Sequence, residues 1–285
     1  MDGDAKELND YSNAGNFGRR SLPTDLNVPS FQQTGEVVRA VLRLYRDNFL
    51  SLVKIVAALS IPLVVAQHVF LKLAEVPYMW VVIQLTTHVA GLLMSGALIY
   101  AVVEFLRTGA FPTLADSYRW GFKRWGRVLV CSFLYTVIVL LGFVALLVPG
   151  MIFSVMFALV IPIAVLESTP VVQGFNRSRA LTRNYLWQIF ITYFVFSLII
   201  MVVSLVTMAG LGGDAAAESS LPFALAQGLI TQLLESSSTV LTLFIYLGIL
   251  RDVNRISPPL GNDTPADAPG GTQARPSQVE TGHGF

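Results

Sequence analysis

One carboxylate stands alone in the last apolar stretch of the chain. Glu235 is the only charged residue between positions 219 and 250. A carboxylate inside a lipid-length helix is costly, and such groups mark binding or ion-handling sites by default. Gln227, Gln232, Ser236, Ser237, Ser238 and Thr239 surround it in sequence and extend a polar stripe along the same helix. Two depths fit. Counting about 20 residues back from Arg251 leaves Glu235 about 6 Å inside a boundary, as a hydrated glutamate. A longer, tilted helix places it near mid-membrane, facing protein.

The histidines offer less. His88 is expected near the middle of its stretch and His68 near the end of another. They differ in depth and lack a third ligand, so hydrogen-bonded packing is expected and a shared metal is not. Cys131 is the single cysteine, which excludes an internal disulfide or a thiolate metal set and reads as a small buried hydrophobe. No cofactor is expected. Glu104, Asp116 and Glu167 lie beside arginines, and would serve an intramembrane enzyme acting on lipid only if they converged on a cavity. Loop roles account for them, and the chain is expected not to be an enzyme.

The elements that position these groups follow from composition. Of 285 residues, 54% are apolar and 13% charged, against about 25% charged in soluble domains. Runs without Asp, Glu, Lys or Arg cover 55–71, 76–103, 128–166 and 184–213. A hydrocarbon core of about 30 Å takes about 20 helical residues. The run 128–166 would be about 58 Å long as one helix, nearly twice that thickness. Dividing it at Pro149-Gly150 gives two spans and a total of six: about 51–71, 79–104, 128–148, 150–166, 187–209 and 226–250. The fold class is therefore all-α integral membrane, with polar tails at 1–32 and 257–285. The first 30 residues lack the apolar core of a cleavable signal, so the first span is expected to act as an anchor.

Basic residues crowd the segments at one end of the spans, while the other end has only Lys72. The charge rule puts both termini in the cytoplasm. Three of the basic segments, 34–52, 112–129 and 169–187, read as amphipathic helices lying at the interface, each preceding a pair of spans. Trp120 is out of place on the charged side of the second, and Arg177 points away from Arg179 and Arg183 in the third. Arg39, Arg43, Arg46, Arg119, Lys123, Arg127, Arg179 and Arg183 are the expected contacts for anionic phospholipids, each contributing about 1 kcal/mol near such a surface. The bilayer itself and a membrane-protein partner complete the expected partners; nucleic acid is not among them. Pro62 and Pro162 are candidate kinks, Gly91 and Ser95 have the spacing for close helix approach, and Tyr78, Trp80, Trp120, Trp125, Tyr185 and Trp187 suit interfacial belts.

The segments GEVVRAVLRLYRDNFLSL (35–52), LVPGMIFSVMFALVIPIAVLE (147–167), SRALTRNYLW (178–187) and IYLGILRDVNR (245–255) resemble one known family. It is the membrane domain attached to some bacterial glycerophosphoryl diester phosphodiesterases, together with related stand-alone six-span proteins. The resemblance implies a bacterial inner-membrane protein. It carries no catalysis, because the family's phosphodiesterase chemistry resides in a separate barrel of about 250 residues, for which these residues leave no room. Two functions are therefore expected in order: a scaffold or accessory protein contacting lipid or partner membrane proteins, then a small transporter or channel with a polar site at Glu235 and His88.

Overall fold

The computed structural model describes residues 29, 31, 34–73, 79–167, 169–211 and 220–256. Its elements are all α-helices: α1 (Thr34–Asp47), α2 (Phe49–Leu73), α3 (Met79–Thr108), α4 (Leu114–Ala145), α5 (Leu147–Met156), α6 (Val160–Leu166), α7 (Val171–Thr182), α8 (Leu186–Leu211) and α9 (Leu221–Ile256). Six stretches are long and apolar enough to cross a membrane: Phe49–Phe70, Val81–Thr108, Leu114–Ala145, Leu147–Leu166, Leu186–Thr207 and Leu221–Val253. This is a multi-pass membrane protein. The tail 257–285 lies outside the described residues, as does 1–32 apart from Pro29 and Phe31. Tyr78 and the side chain of Trp80 also lie outside them.

The spans run as antiparallel neighbours, so one end of the molecule gathers the basic segments and the other does not. The closely packed core lies toward the basic end, where Leu52, Leu98, Ile99, Leu159, Ile163, Leu241, Leu243, Ile245 and Ile249 are all but closed off, although Leu50, Phe122, Val172 and Trp187 face outward there. At the far end apolar side chains face outward, as with Leu141, Val144, Leu147 and Val206, the last 67% exposed. So much outward apolar surface requires lipid around it.

The second hairpin departs from the sequence expectation. The reversal falls at Leu146, which is extended (φ −167°, ψ 154°), and not at Pro149-Gly150. Pro149 instead occupies the first turn of α5, where its missing N–H leaves no intrahelical bond unmade. Gly150 makes a contact rather than a turn: a Cβ there would come within 2.8 Å of the Phe143 nitrogen, and one on Gly142 within 3.0 Å of the Gly150 Cα. Among the described residues the left-handed glycine is Gly109 (φ 77°), which ends α3 with its N–H on the Phe105 carbonyl at 2.8 Å.

The fourth span is broken between α5 and α6. Pro162 has no N–H for the carbonyl of Ala158, and its ring crowds that turn. The Met156 carbonyl, left without its helical partner, accepts from Ser178 Oγ at 2.9 Å, with Thr182 Oγ1 at 3.0 Å. Both side chains lie on α7 and are fully buried. Pro62, by contrast, sits inside an uninterrupted α2.

The three basic segments differ in form. In α1 the apolar face (Val37, Val38, Val41, Leu44) is covered by protein, not lipid, while Arg39, Arg43 and Arg46 stay exposed. The segment 112–129 is not separate from the third span but the first half of the 32-residue α4. It lies against α3 at Gly121, where a Cβ would meet the Ala97 nitrogen at 2.9 Å and one on Gly96 the Gly121 Cα at 3.3 Å. Gly96 makes this approach, whereas Gly91 has open space beside it. Trp120 faces the charged side because it stacks on Tyr100 (4.9 Å) and lies beneath the Arg124 guanidinium (4.5 Å). Trp125 donates to the Val89 carbonyl and Tyr185 packs on Phe31, so of the described belt residues Trp187 alone is fully outward.

Candidate functional site: a polar cleft in the lipid-facing half

Between α2, α3 and α9 the far half opens into a cleft of about 800 Å³. Gly91 and Gly228 line it: Gly91 has open space beside it, whereas Gly228 packs closely on Val64 of α2. The polar walls come from Ser60, Gln67 and His68 on α2, Gln84, Thr87, His88 and Ser95 on α3, and Gln227, Thr231, Gln232, Glu235, Ser236, Ser238 and Thr239 on α9. From Gln84 to Ser95 the α3 wall extends about 16 Å, more than half of a bilayer's hydrocarbon thickness.

Glu235 and His88 therefore meet at one cleft, close enough to interact electrostatically. α9 begins at Leu221, so Glu235 lies about 21 Å along it. The helix is thus the longer of the two forms expected from sequence, 36 residues in all. The carboxylate is exposed to the cleft rather than enclosed. His68 lines the same cleft, and among the described residues no group of three or more His, Cys, Asp or Glu could hold a metal ion.

Three hydroxyl groups of the cleft share one orientation. Thr87 donates to the Ile83 carbonyl, Ser236 to Leu233 and Ser238 to Glu235, at 2.8, 2.8 and 2.7 Å. A hydroxyl has one proton and two lone pairs. With the proton directed to its own helix, each offers the cleft an acceptor. Since Ser236 has donated its proton, the Tyr45 hydroxyl 2.9 Å away is the donor of that pair. Burial pushes the Tyr45 phenol up from its ordinary range. Gln67 donates to Thr87, tying α2 to α3. Ser95 and Thr239 join at 3.3 Å.

The basic end closes the bundle. Glu167 Oε1 accepts from Arg177 Nε and from the Tyr246 hydroxyl, both at 2.6 Å. Burial alone would lower the Arg177 pKa; the Glu167 carboxylate outweighs it and holds the guanidinium charged, above its usual range. Arg127 donates to the Glu167 carbonyl (2.9 Å) and Arg124 to the Val165 carbonyl (2.7 Å). Two α4 arginines thus satisfy carbonyls at the C-terminal end of α6, where such groups lack helical partners and the helix dipole favours cations. Close by, Asp252 accepts the Phe31 N–H at 3.0 Å, and Phe31 is completely buried against Tyr185.

Most sequence-assigned residues are elsewhere. Arg39, Arg43, Arg46, Arg119, Lys123, Arg179 and Arg183 are exposed at the basic end, with Arg46 beside Asp47 at 2.9 Å. Arg127 is half-buried. Glu104 pairs with Arg107 (3.8 Å), Asp116 takes the Thr113 hydroxyl (2.6 Å) and Glu167 is bound as described, so the three carboxylates have separate partners. Cys131 is buried. Sequence reasoning did not anticipate Tyr246 or Asp252; an unexplained Arg177 was the available signal for the first. Among family models, curated proteins and solved structures, nothing matches this chain.

Proposed function

We propose that this multi-pass membrane protein binds a small polar solute in the cleft around Glu235 and His88 and passes it across the bilayer. The cleft itself carries the reading. Polar groups on three helices converge there, within the half of the molecule whose outer surface is apolar. Intramembrane polar groups gathered on a cavity are characteristic of solute pathways, and a discontinuous helix near mid-span is a recurrent companion. The packed basic end and its Glu167–Arg177–Tyr246 cluster form the closed side of the pathway. Purified protein in liposomes tests this by flux of labelled polar solutes. Uptake that falls by at least about tenfold in Glu235→Gln, a loss of about 1.4 kcal/mol of interaction, is the expected result. Absence of flux and binding for every solute would end this reading.

A second reading is favoured by the exposed arginines and lysine of α1, α4 and α7: an accessory role on an anionic lipid surface, with no solute moved. Retention of anionic phospholipid through purification, lost on Arg39/Arg43/Arg46→Gln, would support it. Within either reading we place the protein in a bacterial inner membrane with both termini cytoplasmic, a basic segment leading into each of three hairpins, akin to the phosphodiesterase-associated membrane domain. The segments quoted above and the crowding of arginine at one end support that placement. Reporter fusions after Gly213 and Arg255 give its topology: the first must report the outside and the second the cytoplasm.

A further inference from the structure

A second cavity, of about 560 Å³, lies behind the cleft at the helix break. The two share His88, Leu92, Ser95, Ser238 and Thr239 as a common wall, which the Ser95–Thr239 hydrogen bond holds shut. His88 reaches both sides, since its Nε2 lies 3.5 Å from Ser132 Oγ in the inner cavity. We propose that the cleft and the inner cavity are consecutive stations for one class of solute, a small ammonium ion bearing N–H donors. This rests on the solute-pathway reading and names its substrate.

Three observations select that chemistry. Among the described lining residues of both cavities there is no Lys or Arg, and the one carboxylate is Glu235. The inner cavity repeats the orientation of those three hydroxyls: Thr136 donates to the Ser132 carbonyl, Ser154 to Met151, Ser197 to Phe194 and Thr242 to Ser238, at 2.9, 2.8, 2.8 and 2.8 Å. Because Thr242 has donated its proton, Tyr193 donates to it at 2.7 Å. Both cavities thus present oxygen lone pairs, which suit a ligand that donates. Aromatic rings complete the inner wall: Tyr135, Phe157, Phe190, Tyr193 and Phe194. Rings attract a desolvated cation electrostatically and welcome the alkyl part of an organic one. An anion would find no Lys or Arg among the described lining residues, and the Tyr193 proton is already directed at Thr242.

The test uses the full-length protein in liposomes, with propylammonium, tetramethylammonium and glycerol as labelled probes at pH 7. Propylammonium should bind and cross, at least about tenfold better than tetramethylammonium, which has the charge but no N–H. Glu235→Gln should lower propylammonium affinity by about tenfold or more, and Tyr193→Leu by a similar factor, whereas Tyr193→Phe keeps the ring and should retain most of it. Monodispersity in detergent certifies that each variant is folded. Glycerol crossing while propylammonium does not would overturn the ammonium assignment and leave the solute pathway standing. Equal handling of the two cations would overturn the donor argument. If none of the three probes binds or crosses, the ammonium assignment is overturned, and only the wider solute panel then decides the pathway reading.

Discussion

The two halves of this bundle use the same helices to opposite ends. Toward the basic end, α3 and α4 touch backbone to backbone at Gly96 and Gly121, and polar groups are consumed by one another. Toward the far end, α2, α3 and α9 enclose an opening, and polar groups line it with hydroxyl oxygens whose protons are turned back onto their own helices. Small residues serve both halves. Gly121 has a backbone for a neighbour and so joins helices, whereas Gly91 has nothing within 4 Å and so leaves room. What decides between cohesion and cavity is the residue opposite.

Substitutions separate the halves by their cost. The largest expected effect is at Glu167. Glu167→Ala leaves Arg177, whose side chain is 26% exposed, without its carboxylate and removes the Tyr246 acceptor. Breaking one partner out of a buried pair costs about 3–5 kcal/mol. A marked fall in the thermal midpoint in detergent is expected, and a shift under 1 °C would show that the cluster does not hold the basic end together. Next comes Gly121→Ala. Its Cβ would meet Ala97 main chain, which cannot swing aside, so about 1–3 kcal/mol is expected from overpacking. Gly91→Ala, measured alongside, should be near neutral; the reverse order would invert the contrast drawn here.

A smaller loss is expected at the helix break. Ser178→Ala with Thr182→Val leaves the Met156 carbonyl without the α7 hydroxyls that lie against it, at about 1–3 kcal/mol for an unsatisfied buried acceptor. Amide exchange supplies the more telling measurement. Protection at 157–160 should drop, while protection in α9 near Leu243 should not.

The number of spans and their apolar stretches were legible because lipid imposes a length and forbids charge, and both are local properties of sequence. The form of the basic segments was not. Amphipathicity says that Val37, Val41 and Leu44 need an apolar neighbour, but protein and lipid satisfy that need equally. The same ambiguity hid the continuity of α4: Arg119, Lys123 and Arg127 mark one face as polar and say nothing about Gly121 on another. The hairpin turn was misplaced because Pro149 was read as ending a helix and Gly150 as permitting the reversal. Proline tolerates a helix's first turn, and glycine here serves contact. For Glu235 the polar stripe was visible, its depth was not, and depth depended on where α9 begins.

Glu235→Gln is the variant with the least expected effect on stability. A buried, paired carboxylate loses partners when it is neutralised, but Glu235 is exposed to an open cleft, and no direct hydrogen bond or ion pair to its side chain is seen among the described residues. The amide keeps the shape and removes only the charge, so the thermal midpoint should correspond to a change within about 0.5 kcal/mol, the range of substitutions remote from packing. If the midpoint instead falls as far as in Glu167→Ala, the carboxylate is a structural group and the far half is as cohesive as the basic one. If stability holds while solute affinity is lost, the two halves divide the labour: one end holds the helices together, and the other uses their separation.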